Sequence, residues 1–347
     1  MENKPFLAGL SLAELTKLLF SYPPFRSAQI YNWIIRGVIS FEEMSNLPAQ
    51  MRNELSEKYS LIAGKVCSEL NDKDGTVKLG IELNDGAVIE GVILTDGKGR
   101  KTACLSSQAG CPAGCVFCKT GKLGFKRNLN ALEIAGLFLH LKKRENEISH
   151  IVIMGMGEPL FNLDELRKAI NFFTDSRGLN ISKRRITLST CGIEKGILDL
   201  AENGPDIRLA FSLITAREEL RRRLMPFSSQ TPLPRLKKAL LEYQEKRKRR
   251  LTLEIVVLRG INTFAEDAEA AAGFARGLDA VINLIPWNQV EGLEFEGRIL
   301  QAPNQKETAA FAKALEDRGM KVTLRREKGF GISGACGQLG VVNEIKI

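Results

Sequence analysis

The stretch CPAGCVFC at residues 111–118 spaces three cysteines as C-x3-C-x2-C, directly after a predicted strand at 102–107. Three thiolates on one tight loop can bind three irons of a [4Fe-4S] cubane, which leaves the fourth iron open to a small molecule. Structural zinc normally takes four ligands, and the sequence offers no fourth cysteine or histidine at a usual zinc spacing. The motif therefore predicts a cluster with one open iron, bound by Cys111, Cys115 and Cys118, with zinc as the alternative.

Around this motif, apolar strand-like runs alternate with amphipathic helical patterns. Strands are predicted at 102–107, 150–154, 185–190, 208–213, 251–258, 280–285 and 321–325, and helices at 130–143, 163–173, 234–246, 265–277 and 305–318. Such alternation is typical of an α/β fold with a parallel sheet covered by helices, either open or curled into a barrel. The chemistry of these folds lies at the carboxyl ends of the strands.

The first part of the chain has a different pattern. Three helices are predicted at 11–20, 27–36 and 49–58, followed by one β segment at 76–83. Proline breaks at 23–24 and 48 separate the helices. We therefore expect a small helical accessory domain at 1–85 and a catalytic core at 86–347.

The composition indicates a globular protein with polyanionic partners. Of 347 residues, 44% are hydrophobic and 26% charged, and no apolar run approaches the roughly 18 residues that a membrane span needs. The N-terminus lacks the pattern of a secretory signal, and the crowded cysteines suit a reducing compartment, so we expect the cytosol. The net charge of +9 favours nucleic acid. Three basic runs either contribute or are solvated faces: 183–185, 221–223 and 246–250.

The cysteine motif, with an aromatic residue before its last cysteine, resembles the signature of the radical S-adenosylmethionine superfamily. There the open iron binds S-adenosylmethionine, and an electron from the cluster cleaves it to a 5′-deoxyadenosyl radical. The stretch MGMGEP at 154–159 ends the second predicted strand. It matches the superfamily's glycine-rich element, so the resemblance implies that Gly157 and Glu158 hold the methionyl amino group. The implied fold is a partial (β/α)6 barrel with a small N-terminal helical accessory domain.

A closer resemblance covers nearly the whole chain. It is to the RlmN-type methyltransferases, which methylate C2 of an adenosine in 23S rRNA and, in many members, in tRNA. The segments that carry it are FRSAQIYNW (25–33), MSNLP (44–48), CLSSQAGC (104–111), MGMGEPL (154–160), LSTCG (188–192), LMP (224–226), NLIPWN (283–288) and ACGQL (335–339). Cfr-type relatives, which methylate C8, share most of these segments, but Pro159 and the N-terminal segment favour the C2 enzymes.

The resemblance also implies roles for two further cysteines and a carboxylate. Adenine C2 is electron-poor and does not attack a methyl sulfonium directly, so a radical route is needed. One S-adenosylmethionine would methylate Cys336, and a second would be cleaved so that its radical takes hydrogen from the S-methyl group. The methylene radical would add to C2, and Glu90 would accept the C2 proton. Cys104 would then attack the sulfur of Cys336, leaving a disulfide.

Two departures from the family accompany these matches. The implied contacts to the nucleoside end of the cofactor are Ser189, Ser212, Leu213, Ile214 and Asn288. The family usually reads Ser-Leu-His at 212–214, so isoleucine removes a polar contact. The family also has acidic residues just before the methyl-carrying cysteine, where this chain has GFGISG at 329–334.

The expected partners are 23S rRNA, with tRNA as a further substrate, and an electron donor such as a flavodoxin. No membrane partner is expected. Two alternatives stay open. One is a radical methyltransferase of the same design with another RNA base or position as its target, such as C8. The other is a non-catalytic RNA-binding protein whose cysteines hold structural zinc.

Overall fold

The computed structural model describes residues 4–325 and 328–340. Its N-terminal part is helical, with α1 (Leu12–Leu18), α2 (Pro24–Ile35) and α3 (Ala49–Lys58). Ser11 and Glu14 form a reciprocal capping box at the start of α1. Pro24 is the first residue of α2. It is tolerated there because the N–H groups of the first helical turn have no partner within the helix, so the N–H that proline lacks is not needed. The three helices that the sequence predicts in this part are therefore present.

A ten-stranded sheet forms the centre of the molecule, and two short hairpins accompany it. The strands are β1 (Lys65–Asn71), β2 (Val77–Glu82), β3 (Val88–Thr95), β4 (Lys101–Cys104), β5 (Gln108–Gly110), β6 (Phe125–Asn128), β7 (Ile148–Ile153), β8 (Ile186–Thr190), β9 (Arg208–Ser212), β10 (Leu251–Val257), β11 (Ala280–Pro286), β12 (Glu294–Phe295), β13 (Arg298–Ile299) and β14 (Val322–Leu324). The remaining helices are α4 (Lys119–Leu123), α5 (Ala131–Arg144), α6 (Leu163–Thr174), α7 (Glu194–Asn203), α8 (Glu218–Leu224), α9 (Leu233–Arg247), α10 (Ala265–Ala275) and α11 (Gln305–Glu316).

The sheet has an antiparallel edge and a parallel centre. Its order is β1-β2-β3-β4-β7-β8-β9-β10-β11-β14. Strands β1 to β4 pair antiparallel, and every neighbouring pair from β4 onward runs parallel. Strand β10 reads LTLEIVV, the nearly continuous apolar run of a strand that is covered on both faces. Each parallel strand from β4 to β11 is followed by a helix, so the predicted (β/α)6 unit is confirmed.

The two edges of the sheet are joined by residues 328–340, here called the seam segment. Its Gly329 and Gly331 N–H groups donate to the carboxylates of Asp74 (3.0 Å) and Asp72 (2.9 Å), in the turn between β1 and β2. Lys78 Nζ on β2 donates to the carbonyl oxygen of Ser333 at 3.2 Å. Because the segment follows β14, these bonds connect one end of the sheet to the other. The sheet is thus a barrel whose two edge strands, β1 and β14, are connected within the described residues by contacts of the seam segment and not by strand pairing.

Helix α5 illustrates how the helices cover the sheet. Asn130 and Glu133 form a capping box at its start. Three basic residues in its last turn stabilise the helix through their interaction with the negative end of its dipole. Most of its side chains are buried, among them Ile134, Leu137 and Phe138, which join the main hydrophobic core. None of the helices in the described ranges is long and apolar enough to cross a membrane.

The sequence does not predict β1, because a register shift between Val66 and Ser68 interrupts the alternation of buried and exposed side chains. The division of the chain at residue 85 stays a prediction. It falls in the turn between β2 and β3, two strands that pair in one sheet.

Candidate active site

The three motif cysteines lie on the loop between β5 and α4, which follows the carboxyl end of β4. Two hydrogen bonds from distant parts of the barrel fix this loop. The Val116 N–H donates to the carbonyl oxygen of Leu224 at 3.0 Å, at the end of α8. The indole N–H of the buried Trp287, just after β11, donates to the carbonyl oxygen of Phe117 at 2.9 Å. The loop is therefore anchored to the ends of strands across the barrel.

One cavity of about 160 Å³ brings most of the predicted site residues together. That volume is about ten times what one water molecule needs, so a small-molecule ligand has room there. The predicted residues that line it are Cys111, Cys115, Cys118, Gly157, Glu158, Ser189, Ser212, Ile214, Asn288 and Cys336. We call it the cofactor cavity.

The donor set of the motif loop fits an iron–sulfur cluster. Burial raises the pKa of Cys111 to about 12, and it raises the pKa values of Cys115 and Cys118 as well, with neighbouring thiolates adding to the effect. Bound iron reverses this, because metal ligation deprotonates thiols. Among the described residues no three metal-binding side chains converge on a single ion. A cubane needs no such convergence, because each cysteine binds a different iron.

Gly157 and Glu158 lie beside this loop, at the end of β7. Gly157 has φ +108°, and a Cβ there would lie 2.6 Å from the Cβ of Gln108, so only glycine fits. The buried Glu158 carboxylate accepts the N–H of Cys191 at 2.7 Å and that of Leu160 at 3.0 Å. Burial raises the pKa of Glu158, and these hydrogen bonds oppose the rise. The result is a fixed acidic group suited to an ammonium ligand.

A polar row crosses β8, β9 and β10 at their carboxyl ends. Ser189 Oγ lies 3.3 Å from Ser212 Oγ and donates to Glu254 Oε2 at 3.1 Å. Burial raises the pKa of Glu254, and the charge of Arg325 opposes that rise. Glu254 also lines the cofactor cavity and is not among the site residues that the sequence predicts. A single acidic residue inside the apolar strand LTLEIVV is the signal that could have revealed it.

Leu213 and Ile214 take different positions. Leu213 is fully buried in the main hydrophobic core and does not appear on the lining of the cofactor cavity. Ile214 lines that cavity with φ +61°, a conformation that β-branched residues rarely adopt. Its N–H donates to the carbonyl oxygen of Glu254 (3.0 Å), and its own carbonyl accepts from Asn262 Nδ2 (2.8 Å). These bonds hold the strained backbone, so Ile214 contributes apolar surface to the cavity.

Asn288 has one amide atom in use and one without a partner. Its Nδ2–H donates to the carbonyl oxygen of Cys336 at 3.0 Å. Its Oδ1 is buried and makes no hydrogen bond within the described residues. An unpaired buried acceptor costs free energy unless a ligand donates to it. Its position on the cavity wall therefore fits a ligand with an N–H or O–H donor, such as the nucleoside of S-adenosylmethionine.

Cys104 and Cys336 line a second, adjoining pocket together with Arg325. Both cysteines are free thiols. The pKa of Cys104 is raised to about 12, mainly by burial and in part by the neighbouring Cys336, while the charge of Arg325 opposes the rise. Cys336 lines both this thiol pocket and the cofactor cavity. It therefore stands at the junction of the two pockets.

Glu90 lies on β3, outside the lining of these two pockets. It is 2% exposed, and its carboxylate pairs with Lys78 Nζ at 3.0 Å and accepts the N–H of Gly340. Burial raises the pKa of Glu90, while Lys78 and the Gly340 N–H lower it. Its main chain contacts the active-site loop, because the Ser106 hydroxyl donates to the Glu90 carbonyl at 2.6 Å.

Two of the three basic runs are largely engaged within the protein. Arg221 is fully buried, and it donates to the carbonyl oxygens of Ser212 (2.8 Å) and Cys191 (2.7 Å), so it stabilises loops around the cofactor cavity. In 246–250, Lys246 and Arg249 form ion pairs with acidic side chains. The run 183–185 differs. Its Arg184 and Arg185 line an open concavity together with Arg208. None of these three arginines has an ion pair in the part of the chain described.

Comparison with known proteins agrees with this geometry. The family model of the radical SAM superfamily matches residues 105–274, and that of the ribosomal RNA large subunit methyltransferase N-terminal domain matches residues 7–61. A crystal structure of a radical SAM methyltransferase from Sphaerobacter thermophilus is 33% identical, with a TM-score of 0.91 over 96% of this chain and 98% of that chain. Fold and site thus define a radical SAM enzyme, a class that uses a [4Fe-4S] cluster and S-adenosylmethionine.

Full-length relatives identify the family. The chain is 48% identical to the probable dual-specificity RNA methyltransferase RlmN of Treponema denticola, over 97% of this chain and 96% of the relative. It is 40% identical to the protein of the same description from Geobacillus thermodenitrificans, over 96% of this chain and 92% of the relative. The chain belongs to the RlmN family of radical SAM methyltransferases.

Proposed function

We propose that this chain methylates C2 of an adenosine in RNA, with Cys336 as the carrier of the methyl group. The position of Cys336 is the observation that supports this most directly. Its thiol lines the cofactor cavity together with the three motif cysteines, and it also lines the pocket that contains Cys104. A carrier must meet a methyl donor on one side and an acceptor on the other, and this junction offers both.

The cofactor cavity supplies the binding groups for two cofactors. Cys111, Cys115 and Cys118 would bind a [4Fe-4S] cluster, and Glu158, Ser189, Ser212 and Asn288 would bind S-adenosylmethionine. When bound, the cluster supplies the electron that starts radical chemistry on S-adenosylmethionine. Two molecules of S-adenosylmethionine are needed in each turnover, because one gives the methyl group and one gives the radical.

The chain's own residues divide the remaining work. The Cys336 thiol loses its proton and displaces the sulfonium of the methyl donor, so that an S–C bond forms as the donor's C–S bond breaks. After the carbon has been joined to C2, Glu90 accepts the C2 proton. The Cys104 thiolate then attacks the sulfur of Cys336, which forms an S–S bond and releases the methylated base. A two-electron reductant returns both cysteines to thiols.

The substrates and partners follow from the family and from the charge of the chain. Its relatives are described as dual-specificity RNA methyltransferases, and we infer that 23S rRNA and tRNA are the two substrates. The net charge of +9 supports binding to phosphates. We further infer a flavodoxin as the electron donor and the cytosol as the location, where reduced thiols persist.

A single assay tests the proposal. Anaerobically reconstituted protein is incubated with a reductant, S-adenosylmethionine carrying a deuterated methyl group, and RNA from a strain that lacks the gene. Mass spectrometry of nucleosides, with rRNA and tRNA digested separately, should find labelled 2-methyladenosine in both. The Cys336→Ala variant is the control and should give none. Labelled 8-methyladenosine would instead establish the Cfr-type position.

A metal measurement separates the non-catalytic alternative. Protein prepared without oxygen should contain iron and sulfide in equal amounts, near four of each per chain if the cluster is a cubane. One zinc per chain, with neither iron nor sulfide, would replace the proposal with a zinc-stabilised RNA-binding protein.

A further inference from the structure

Lys78 and Glu90 form a fully buried ion pair. Lys78 Nζ lies 3.0 Å from Glu90 Oε1, and the two side chains are 2% and 3% exposed. Lysine side chains are rarely buried, because the free energy needed to remove an ammonium group from water is much larger than the free energy gained from one ordinary hydrogen bond. Such a pair persists in a core where its members have further partners or a functional role.

The register of the sheet places the pair on the face that holds the thiols. Val92 on β3 is directly opposite Lys78 on β2 and directly opposite Cys104 on β4, so these three residues form one row across the sheet. Directly opposite residues share a face, and Glu90 shares it too because it is two positions from Val92. The side chain of Lys78 therefore contacts Glu90 across a diagonal between β2 and β3. Glu90 lies one position along the same face from the row that contains Cys104.

The same two side chains also bind the seam segment on both sides of Cys336. Lys78 Nζ donates to the carbonyl oxygen of Ser333 at 3.2 Å, and Glu90 Oε2 accepts the N–H of Gly340. These contacts lie three residues before and four residues after Cys336. The ion pair thus joins the carboxylate to the segment that bears the carrier thiol.

We propose that Lys78 is a positioning residue for the reaction: it keeps Glu90 ionised in its buried site and holds the Cys336 segment in register with that carboxylate. The inference rests on the proposed function, in which Glu90 accepts the C2 proton. Both polar contacts of Lys78, the Glu90 carboxylate and the Ser333 carbonyl oxygen, are hydrogen-bond acceptors. The proton from C2 passes to Glu90 alone and leaves the site from there.

The electrostatics of the site agree with this role. Burial raises the pKa of Glu90, and the charge and hydrogen bond of Lys78 lower it, together with the Gly340 N–H. Among the described residues, the Cys67 thiol on β1 is also affected by this carboxylate, whose charge contributes to the raised pKa of Cys67. A proton acceptor works only in its ionised form, so removal of Lys78 raises the pKa of Glu90 and moves the acid limb of the rate profile to higher pH.

The test compares Lys78→Met, Lys78→Arg, Glu90→Gln and the double variant Lys78→Met/Glu90→Gln with the wild-type holoenzyme. Lys101→Met is the matched control, because Lys101 also lies in the sheet and pairs with a glutamate, Glu145, at 3.2 Å. Two reactions are followed from pH 6 to pH 9. Mass spectrometry measures methylation of Cys336, which needs no C2 proton transfer, and nucleoside analysis measures methylation of RNA.

For Lys78→Met we expect Cys336 methylation close to the wild-type rate. The kcat for RNA methylation should be lower by about tenfold at pH 6, with a smaller loss as the pH rises, because a larger fraction of the Glu90 carboxyl is then protonated at low pH. The KM for RNA should be unchanged and the acid limb should move to higher pH. Lys78→Arg should restore the wild-type limb, and Glu90→Gln should lower kcat by about a hundredfold at every pH. If both methylations fall together in Lys78→Met without a shift of the limb, Lys78 has only a structural role and the inference is wrong.

An infrared measurement separates this inference from the proposed function. In Lys78→Met at neutral pH a protonated carboxyl band should appear that is absent from the wild type and from the double variant. If the wild type methylates no RNA, the proposed function fails, and the infrared band still decides whether Lys78 keeps Glu90 ionised. Should Lys78→Met not fold, Lys78→Arg decides, because a shifted acid limb in a variant that retains the charge overturns the inference.

Discussion

Asn288 connects the two pockets of the active site by donating a hydrogen bond to the carbonyl oxygen of Cys336 at 3.0 Å. The other atom of its amide, Oδ1, is buried without a partner in the described structure. One side chain therefore fixes the segment that bears the carrier thiol and offers an open acceptor on the cofactor cavity. In the proposed function, cofactor binding and the placement of Cys336 would depend on the same amide group.

Asn288→Leu should weaken S-adenosylmethionine binding. The variant removes both the open acceptor and the bond to Cys336, and a lost hydrogen bond of this kind costs about 1–2 kcal/mol, or a roughly 5- to 30-fold higher Kd. Equilibrium dialysis with anaerobically reconstituted protein measures this. Asn53→Leu, at an exposed position on α3, should bind the cofactor like the wild type. Equal affinities for the two variants would exclude a cofactor contact by Asn288.

Cys104→Ala should trap the protein on its RNA, because nothing then attacks the sulfur of Cys336 to release the base. Cys336→Ala should instead abolish methylation of the carrier while leaving the cluster in place. Denaturing gels and mass spectrometry detect the covalent adduct. Cys67→Ala serves as the control, because Cys67 lies on β1 away from both pockets. Free methylated RNA at the wild-type yield from Cys104→Ala would refute the release step.

Glu254→Leu and Glu254→Gln form a matched pair. Gln keeps an acceptor for the Ser189 hydroxyl, so its affinity for S-adenosylmethionine should stay within about threefold of wild type. Leu leaves that hydroxyl without its 3.1 Å partner, and we expect a Kd about tenfold higher. Isothermal titration under anaerobic conditions distinguishes the two. Indistinguishable Kd values for Leu and Gln would mean that Glu254 does not orient the cavity's hydroxyl groups.

The Asp85–Arg127 pair should make stability depend on pH. The hydrogen bond from Arg127 Nε at 2.6 Å lowers the pKa of Asp85 to about 2. A carboxyl with a depressed pKa stabilises the folded state above its unfolded value, near 4, and that contribution disappears as pH falls through the folded value. Both side chains are partly exposed, so the effect should be under about 1 kcal/mol and should weaken with salt.

Chemical denaturation of wild type and Asp85→Asn measures this difference. The gap between their free energies of unfolding should be constant above about pH 5 and should shrink as the pH falls toward 2. Asp164→Asn is the control, because the Asp164 side chain is 90% exposed. A gap that is the same at pH 6 and pH 2.5 would show that the pair does not set the acid dependence.

The local parts of the site could be predicted from sequence, since they depend on short motifs. The cysteine spacing predicts the cluster loop, and MGMGEP predicts a glycine-bearing turn, which φ +108° at Gly157 confirms. Apolar periodicity predicted the strands of the parallel core and five of its helices, but not the short helices α7 and α8. The roles of the predicted residues stay predictions, because they concern ligands and steps that no contact in the folded chain reports.

Other features depend on pairing between distant parts of the chain. Lys78 appears in the sequence as one more lysine, and only the register of β2, β3 and β4 brings it against Glu90. Arg221 appears in the sequence as part of a basic run, yet its guanidinium is buried, and the carbonyl oxygens of Ser212, Leu213 and Cys191 accept hydrogen bonds from it. The Leu213 side chain packs in the main core just after β9, and its contact with the cofactor stays a prediction.

The seam segment has a consequence for inhibition. Loop contacts, with Asp72 and Asp74 among the acceptors, help to hold the segment that bears the proposed carrier against the edge of the sheet that bears the proposed base. A compound that wedges between the turn after β1 and the segment after β14 would separate Glu90 from Cys336 without entering the cofactor cavity. Such an inhibitor would not need to resemble S-adenosylmethionine or a nucleoside. It would therefore spare radical enzymes that share the cofactor but lack this closure.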